Sequence, residues 1–415
     1  MKSSTGRWVS GEDFFNREAD LGNLKRQILG RNHVLLSGQR RMEKTSIVRE
    51  LGRQLEEDGW TFLFVDIEGA NCPEDVVANI AQAAYPVRPV AKRIISTMGH
   101  WFKDNVEEIG ALDFGVRIRA GLDSGNWKRH GEQLFRDCAV QKEPALLAID
   151  ELPIFLTRML SNDGNPNRVE VFLSWMRNVV QSLGEDGPVL MVSGSVGLEP
   201  LVRRLGIPDR INHFYPYRLG PWDRATSIKC FESLAENNKL SMENGVAEAV
   251  YDALGIGIPH HVQSFFARLR DFLAREEKDR ATLQDVDKVY RMELLGPSGQ
   301  NDLVHYETRL RETFDDQGHT IAMKILAETA IQKKLTPAAI RNLERSYRQI
   351  MENAGQLISE VMDILEHDGY LVPSDNVYCF ASRLLQDWWE GRFRNHHSPL
   401  DLSGDVSASM NVKDE

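Results

Sequence analysis

A glycine, a lysine and a threonine near the amino end of the chain have the types and the spacing that bind a polyphosphate. Gly38, Lys44 and Thr45 follow an apolar run and occupy fixed positions of the pattern G-x-x-x-x-G-K-[ST]. In such a loop the lysine neutralises the β- and γ-phosphates, and the threonine hydroxyl binds Mg²⁺. Backbone N–H groups and the positive end of the following helix converge on the phosphates. The sequence therefore predicts that residues 38–46 bind ATP with Mg²⁺.

Glu43 stands where this pattern has its second glycine. Glycine there serves a backbone with positive φ or a close phosphate approach, and a glutamate costs about 1–2 kcal/mol if the left-handed conformation is required. Two interpretations stay open: Glu43 points outward and weakens binding, or the loop no longer binds nucleotide. The other loop residues expected to line the nucleotide are Gln39, Arg40, Arg41, Met42 and Ser46.

A second apolar run, residues 144–149, ends in two carboxylates, Asp150 and Glu151. This is the pattern of a buried parallel strand that presents acids at its carboxyl end. In a nucleotide-hydrolysing site the first carboxylate holds Mg²⁺, and the second orients and deprotonates the attacking water. We therefore predict Asp150 as a metal ligand and Glu151 as the catalytic base. The alternative is a solvated turn.

A third apolar run, residues 187–195, ends in small polar residues. Their hydroxyls can reach the γ-phosphate or the attacking water if this strand lies beside the other two. Ser193 is the first candidate for this catalytic role, and Ser195 is the second. Because Ser-Gly-Ser is also ordinary turn composition, the prediction depends on the order of the three motifs.

In their order, these motifs resemble the archaeal-type P-loop ATPases of the STAND and AAA-like group. The resemblance implies an α/β fold: a P-loop NTPase core with a parallel sheet, a helical lid and a C-terminal winged-helix domain. The Phe-x-Arg-Glu box of the family matches Phe15 and Arg17, which implies an adenine pocket there. The Gly-x-Pro signature matches Gly257 and Pro259, which implies a lid position near the adenine.

The resemblance also bears on two pairs of arginines. Arg40 and Arg41 are similar to the arginine pair that this family often carries inside its loop. Arg203 and Arg204 follow the third apolar strand, where related oligomeric ATPases place an arginine finger for the γ-phosphate of a neighbour. The alternative for Arg203 and Arg204 is a solvated helix face.

At 415 residues the chain is long enough for two or three domains. The predicted divisions are an ATPase core at 12–220 with an insertion at about 86–140, a helical lid at 221–312, a winged-helix domain at 315–395 and a disordered tail at 398–415. Residues 113–122 alternate apolar and polar side chains, which predicts a β-ribbon. Thr336 and Pro337 predict the N-cap and the first residue of a helix, and residues 370–380 predict the hairpin of the wing.

Composition and charge argue against several classes of protein. The four cysteines lie far apart with no C-x-x-C pair, so neither a zinc site nor a disulfide framework is indicated. No apolar stretch reaches the length of a membrane span and the amino end has no signal-peptide pattern, so we expect a cytoplasmic protein without membrane contact. The net charge of −11 and the pI near 5.6 argue against an overall basic surface for DNA.

The predicted winged-helix domain is also acidic. Residues 336–394 contain six arginines, no lysine and nine acidic residues. The helix predicted at 357–368 carries Glu360, Asp363 and Glu366, which DNA phosphates would repel. We therefore expect this domain to contact a protein partner, the ATPase core or a second copy of the chain rather than DNA.

Two functions are consistent with these features. The first is a nucleotide-dependent switch in which ATP and Mg²⁺ bind between core and lid, and slow hydrolysis by Glu151 resets the switch. The second is a non-hydrolysing pseudo-ATPase that acts as a regulatory scaffold or a DNA-binding regulator, and Glu43 favours it. The first is favoured by the intact site residues Lys44, Thr45, Asp150 and Glu151. Pseudo-enzymes usually lose the lysine or the catalytic carboxylate as well. The sequence therefore favours an ATP-binding switch, with binding better supported than hydrolysis.

Overall fold

The computed structural model describes residues 14–85, 111–139, 143–194 and 197–400. The chain divides into two compact units. Of the described residues, those within 14–38 and 43–219 belong to the core unit, and Gln39–Met42 and residues 220–400 belong to the C-terminal unit. The predicted tail beyond residue 400, the insertion residues 86–110 and Ser195 lie outside the described residues.

Five strands form the sheet of the core unit. They are β1 (Val34–Ser37), β2 (Thr61–Asp66), β3 (Ala145–Asp150), β4 (Val189–Ser193) and β5 (Tyr215–Arg218). Their order across the sheet is β2-β3-β4-β1-β5, and every neighbouring pair is parallel. Every residue of β3 and of β4 is buried, as expected for central parallel strands with helices on both faces.

The carboxyl ends of these parallel strands meet at one edge of the sheet. Asp66 at the end of β2 pairs in register with Asp150 at the end of β3. Leu36 in β1 pairs with Ser193 at the end of β4. The three apolar runs that the sequence singles out therefore end side by side, and their terminal side chains share this edge.

Helices surround the sheet of the core unit. They are α1 (Glu18–Leu29), α2 (Lys44–Glu57), α3 (Pro73–Ala84), α4 (Ala111–Gly121), α5 (Trp127–Ala139), α6 (Leu152–Asp163), α7 (Pro166–Leu183) and α8 (Leu198–Arg204). The apolar faces of α3 to α8 pack with strands β1 to β4 in one core cluster, which includes Leu63, Leu147, Phe155 and Phe172.

Residues 113–122 belong to helix α4 and the turn after it, so the predicted β-ribbon is wrong. Phe114, Ile118 and Leu122 are spaced four residues apart, and all three are buried. Val116, which a strand would place on the same face, is 68% exposed. A spacing of four contains a spacing of two, so the sequence alternation did not separate helix from strand over this short segment.

The first half of the C-terminal unit is mainly helical. It contains α9 (Arg224–Asn237), α10 (Val246–Leu254), α11 (Pro259–Arg275), α12 (Leu283–Val289) and α13 (Pro297–Thr313), with a π-helical turn at Tyr290–Leu294. Two short strands, β6 (Ser241–Met242) and β7 (Arg280–Ala281), pair in parallel. The sequence places the lid in this region.

The second half has three helices, a hairpin and a final helix. They are α14 (Asp316–Gln332), α15 (Pro337–Arg348), α16 (Ala354–His367), β8 (Leu371–Ser374), β9 (Val377–Phe380) and α17 (Arg383–Phe393). An isolated bridge joins Leu335 to Tyr378 and adds a third extended segment to the hairpin. This order of elements is the one that the sequence predicts for a winged helix.

In the second half of the C-terminal unit, a helix cap and a hairpin turn form where the sequence predicts them. The Thr336 side chain accepts a 3.0 Å hydrogen bond from Ala339 N, and Pro337 is the first residue of α15. Asp375 and Asn376 have φ of 45° and 67°, which closes the hairpin with a two-residue turn. The predicted cap and the predicted hairpin are therefore confirmed.

The chain after α17 is held by a buried glutamate. Glu328 of α14 is 1% exposed and accepts a 3.0 Å hydrogen bond from Leu400 N. His397 Nε2 lies 2.5 Å from the same carboxylate, and Asn342 Nδ2 donates to Leu400 O at 3.1 Å. These contacts fix the start of the segment that the sequence assigns to a tail. Within the described residues, no helix has both the length and the apolar character needed to cross a membrane.

Candidate functional site

Gly38 begins the loop after β1, and its backbone requires glycine. Its φ is 155°, and a Cβ at this position would lie 2.7 Å from the carbonyl oxygen of Leu219. Leu219 N also donates a 2.8 Å hydrogen bond to Ser37 O. The close approach of the chain after β5 therefore fixes the entrance to the loop.

Glu43 adopts the left-handed conformation for which glycine is favoured. Its φ is 65° and its ψ is 30°, and it is the N-cap residue of α2. The strain of this conformation in a non-glycine residue is about 1–2 kcal/mol. The side chain is half-buried. The backbone of the loop thus keeps this conformation with glutamate in the place of glycine.

Lys44 is the first residue of α2, and its ammonium group closes the loop on itself. The side chain is buried, and Nζ donates a 2.7 Å hydrogen bond to Gly38 O. Ser46, two residues later, is also buried. The lysine charge is therefore held among the backbone groups of the predicted phosphate loop, where a phosphate would compete with the carbonyl for it.

Asp150 receives hydrogen bonds from three elements of the core unit. Thr45 Oγ1 donates to Oδ2 at 2.7 Å, and Ser193 Oγ donates to Oδ1 at 2.6 Å. The backbone N–H of Glu151 donates to Oδ1 at 3.1 Å. Because the Asp150 side chain is only 4% exposed, these donors compensate a carboxylate that has little contact with water. The structure thus brings four predicted site residues together.

Glu151 has the same unusual backbone conformation as Glu43. Its φ is 61°, and it is the N-cap residue of α6. The peptide turns sharply here, directly after the buried strand β3, and the side chain is half-buried. A non-glycine residue held at positive φ beside two hydrogen-bonded site residues is typical of a functional position.

The residues present fit a magnesium ion. Mg²⁺ binds through one or two protein oxygens together with waters and substrate phosphates. Thr45 and Asp150 supply a hydroxyl and a carboxylate whose oxygens are 2.7 Å apart. Within the described ranges, no group of three or more histidine, cysteine or acidic side chains could hold a metal by itself. Any metal at this edge therefore needs further oxygens, such as those of phosphates.

Two residues at this edge escaped the sequence analysis. Asp66 ends β2 beside Asp150, and Arg49 lies one turn after Thr45 on α2. Burial lowers the pKa of Arg49, and the charges of Asp150 and Asp66 oppose that shift. The spacing of four from Thr45, and the acidic residue at the end of the strand after α2, are the signals that could have identified them.

Phe15 and Arg17 precede α1 in the core unit. Arg17 is buried, and its Nη1 donates a 3.2 Å hydrogen bond to Asp20. Tyr217 Oη donates to the same carboxylate at 2.6 Å and ties the start of α1 to β5. Their predicted contact with adenine stays a prediction.

The loop residues Gln39–Met42 belong to the C-terminal unit. Arg41 Nη1 lies 3.3 Å from His260 Nδ1, and Arg41 Nη2 lies 3.6 Å from Asp302 Oδ1. Burial, followed by the nearby charge of Arg41, lowers the pKa of His260 to about 4. Met42 is buried. Arg41 therefore binds protein groups of its own unit.

Gln39 and Arg40 lie near the start of the hairpin in the same unit. A Cβ on Gly369 would come within 2.9 Å of the Gln39 side chain. The charge of Arg40 is close enough to Tyr370 to oppose the burial that raises the pKa of that phenol. Both loop residues thus have protein neighbours in the C-terminal unit.

Gly257 and Pro259 also lie in the C-terminal unit. Gly257 O accepts a 2.8 Å hydrogen bond from Trp222 N, and a Cβ on Gly257 would lie 2.3 Å from Trp222 O. Pro259 is the first residue of α11. Both residues therefore have a structural explanation, and their predicted place near the adenine stays a prediction.

Arg203 and Arg204 occupy the last turn of α8. Arg203 is exposed and Arg204 is half-buried. Cations suit the negative end of a helix, which agrees with the alternative of a solvated face. The arginine finger stays a prediction.

Together, the sheet order, the loop after β1 and the acidic residues after β3 define a P-loop NTPase fold. The chain is similar to the solved structure of a Walker-type ATPase of Pyrococcus abyssi, at 15% identity and a TM-score of 0.64 over 94% of this chain and 100% of that chain. It is also similar to the ORC2 protein of Aeropyrum pernix in ADPNP-ADP complexes, at 13% identity and a TM-score of 0.51 over 92% and 98% of the two chains. No family model and no curated protein matches the chain. At these identities the similarity shows the fold alone.

Proposed function

We propose that this protein is an ATP-binding, slowly hydrolysing switch of the STAND/AAA-like type, which couples its nucleotide state to a C-terminal winged helix. The observation that carries the proposal is the 2.7 Å hydrogen bond from Thr45 Oγ1 to Asp150 Oδ2. It joins the end of the phosphate loop to the acidic strand end, beside the buried Lys44. A P-loop fold without nucleotide function has no need for these three residues in this arrangement.

Binding depends on the loop and on α2. Lys44 leaves the Gly38 carbonyl and neutralises the β- and γ-phosphates, while loop N–H groups and the amino end of α2 hold the same charge. Thr45 and Asp150 would hold Mg²⁺, which would supply positive charge to stabilise the transition state. Ser193 fixes Asp150 through its 2.6 Å hydrogen bond.

Hydrolysis depends on Glu151. Its carboxylate orients the attacking water and accepts its proton, and the sharp turn at φ 61° keeps the side chain at the carboxyl end of β3. Ser193 has a second proposed role, as a hydroxyl that contacts the γ-phosphate. Glu43 slows the reaction because its carboxylate opposes the phosphate charge.

The partner that we propose for the terminal module is a protein. Helix α16, which a winged helix would present to DNA, carries Glu360, Asp363 and Glu366 and contains no arginine or lysine. Phosphates repel such a helix. A basic protein surface, on a partner or on a second copy of this chain, complements it.

The test is nucleotide binding and turnover with the purified chain. We expect saturable binding of a fluorescent ATP analogue with Mg²⁺, its loss in Lys44→Ala, and slow ATP turnover that disappears in Glu151→Gln while binding remains. No binding by wild type, with binding gained by Glu43→Gly, contradicts the switch and supports the second candidate function, a non-hydrolysing scaffold. The strained, half-buried Glu43 is the observation that favours this second candidate.

A further inference from the structure

One face of α2 lies directly over β2. Thr45, Arg49 and Gly52 share this helix face, because their spacings are four and three residues. The Arg49 guanidinium stands 4.0 Å from the centre of the Phe64 ring. Gly52 allows the helix to lie close to the strand, since a Cβ there would lie 2.3 Å from the Phe62 ring. Helix and strand therefore run side by side, with Arg49 above Phe64.

The face of β2 that lies against α2 ends in an acidic residue, Asp66. Phe64 and Asp66 are two residues apart in β2 and so point to the same side of the sheet. Asp66 pairs in register with Asp150, whose carboxylate is in contact with Thr45. Arg49 lies one helical turn from Thr45 and stands over Phe64, which precedes Asp66 by two residues in β2. The guanidinium is therefore on the side of the sheet to which Asp66 points, and the charges of Asp66 and Asp150 both act on it.

Electrostatics agree with this placement. Burial lowers the pKa of Arg49, whereas the charges of Asp150 and Asp66 raise it. The Asp150 side chain is 4% exposed, so its negative charge has little solvent to stabilise it and gains from a nearby cation. Stacking on Phe64 holds the guanidinium plane in place, which a flexible ammonium could not match.

We infer that Arg49 is the resident counter-cation of the edge formed by Asp66 and Asp150, and that it makes metal binding at this edge depend on bound nucleotide. The inference rests on the proposed function. A divalent cation alone is repelled by Arg49, whereas nucleotide phosphates add the negative charge and the oxygens that overcome the repulsion. Arg49 is thus a positioning residue of the site, which suppresses binding of the metal without its nucleotide.

Helix α2 offers a matched control one turn further on. Arg53 has the same charge, but its Nη2 lies 2.7 Å from Glu50 Oε1 and its Nη1 lies 2.5 Å from Glu57 Oε1. It therefore has its own acidic partners away from the edge. Arg53→Met changes the net charge by the same amount as Arg49→Met.

The experiment measures Mn²⁺ binding by the EPR signal of the free ion, first without nucleotide and then with ADP. We expect Arg49→Met to tighten Mn²⁺ binding without nucleotide by about fivefold, while Arg53→Met changes it less than twofold. Arg49→Lys should show less than half of the methionine effect, because the charge stays. Arg49→Gln tests the same point if the methionine variant does not fold, as judged by thermal melting.

Two results overturn the inference. One is an equal change in Arg49→Met and Arg53→Met, which would reduce the effect to net charge. The other is a gain that persists when Asp150→Asn is added to Arg49→Met, which would locate the metal elsewhere. If the proposed function is wrong, ADP does not bind to the protein even in EDTA. The measurement with Mn²⁺ alone decides the role of Arg49 independently of that result.

Discussion

Thr45 Oγ1 donates a 2.7 Å hydrogen bond to Asp150 Oδ2, although the two residues are 105 positions apart in the sequence. The bond joins the first turn of α2 to the end of β3. It holds a hydroxyl and a carboxylate in contact, so the two oxygens proposed for Mg²⁺ are already close together.

Removal of the Thr45 hydroxyl tests this relationship. In Thr45→Val the buried Asp150 loses one of its donors, so we expect the free energy of unfolding to fall by about 1 kcal/mol. Nucleotide affinity should also become equal in Mg²⁺ and in EDTA. Denaturant unfolding and fluorescent-nucleotide titration measure the two effects.

Thr45→Ser is the control for this change, because it keeps the oxygen and removes only a methyl group. It should retain the difference in nucleotide affinity between Mg²⁺ and EDTA. If Thr45→Val retains that difference as well, Thr45 does not act on the metal.

The strain at Glu43 is testable with a pair of matched variants. Glu43→Gly relieves a backbone at φ 65°, and Glu277→Gly relieves an exposed glutamate at φ 51°. Glycine removes the strain of the left-handed conformation, and it also increases the conformational entropy of the unfolded chain. The first effect on stability is slightly larger than the second, so each change should raise the free energy of unfolding by about 0.5 kcal/mol. Urea unfolding measures both.

Unlike Glu277→Gly, Glu43→Gly should also increase nucleotide affinity, by about tenfold, because it removes a carboxylate from the phosphate loop. Glu43→Ala separates the two effects, since it removes the carboxylate and keeps the strain. An equal nucleotide affinity in wild type, Glu43→Ala and Glu43→Gly would show that the carboxylate points away from the phosphates.

The central part of this fold and site follows from local sequence. Lys44, Thr45 and Asp150 could be predicted because apolar strands followed by small or charged residues have few structural solutions, and parallel strands bring their carboxyl ends together. The caps and the hairpin turn followed from single residues such as Thr336 and Asn376. Each of these local signals depends on a few neighbouring residues and not on tertiary packing.

The remainder depends on packing that no local pattern contains. Arg49 acquires its role only because Gly52 lets α2 lie against β2, and Asp66 acquires its role only from the register with β3. The apolar positions of helix α4 fit both periods, so its sequence pattern does not distinguish a helix from a β-ribbon. The grouping of Gln39–Met42 with the C-terminal unit depends on contacts more than 200 positions away in sequence, such as Arg41 with His260.

Acid should destabilise the C-terminal unit through His260. A guanidinium can only donate, so the imidazole accepts from Arg41 in its neutral form. Burial, followed by the charge of Arg41, lowers the pKa of His260 from 6.5 to about 4. The unfolded chain therefore binds a proton that the folded chain does not, and stability present above pH 6.5 is lost as the pH falls toward 4.

The expected loss over this window is roughly 2 kcal/mol, after allowance for partial solvent contact. The unfolding free energy of His260→Gln should depend less on pH between 6.5 and 4 than that of wild type. Each protein is compared with its own unfolding free energy at pH 8, where the wild-type imidazole is neutral in both the folded and the unfolded state. Parallel pH profiles for wild type and His260→Gln would remove His260 as the cause.

Gly38, the glycine at the start of the loop, should not tolerate replacement by alanine. In Gly38→Ala the new Cβ meets the Leu219 carbonyl oxygen at 2.7 Å, and φ 155° is also unfavourable for alanine. Because the Leu219 oxygen belongs to the backbone and a Cβ cannot rotate away from it, relief requires a shift of β1 or of the chain after β5, and we expect a loss of about 3 kcal/mol in unfolding free energy. Gly59→Ala is the matched control, since its φ is 83° but nothing lies within 4 Å of the added Cβ. It should cost about 1 kcal/mol from the backbone alone. Equal losses in the two variants, measured by urea unfolding, would show that the contact with Leu219 adds nothing to the requirement for glycine at position 38.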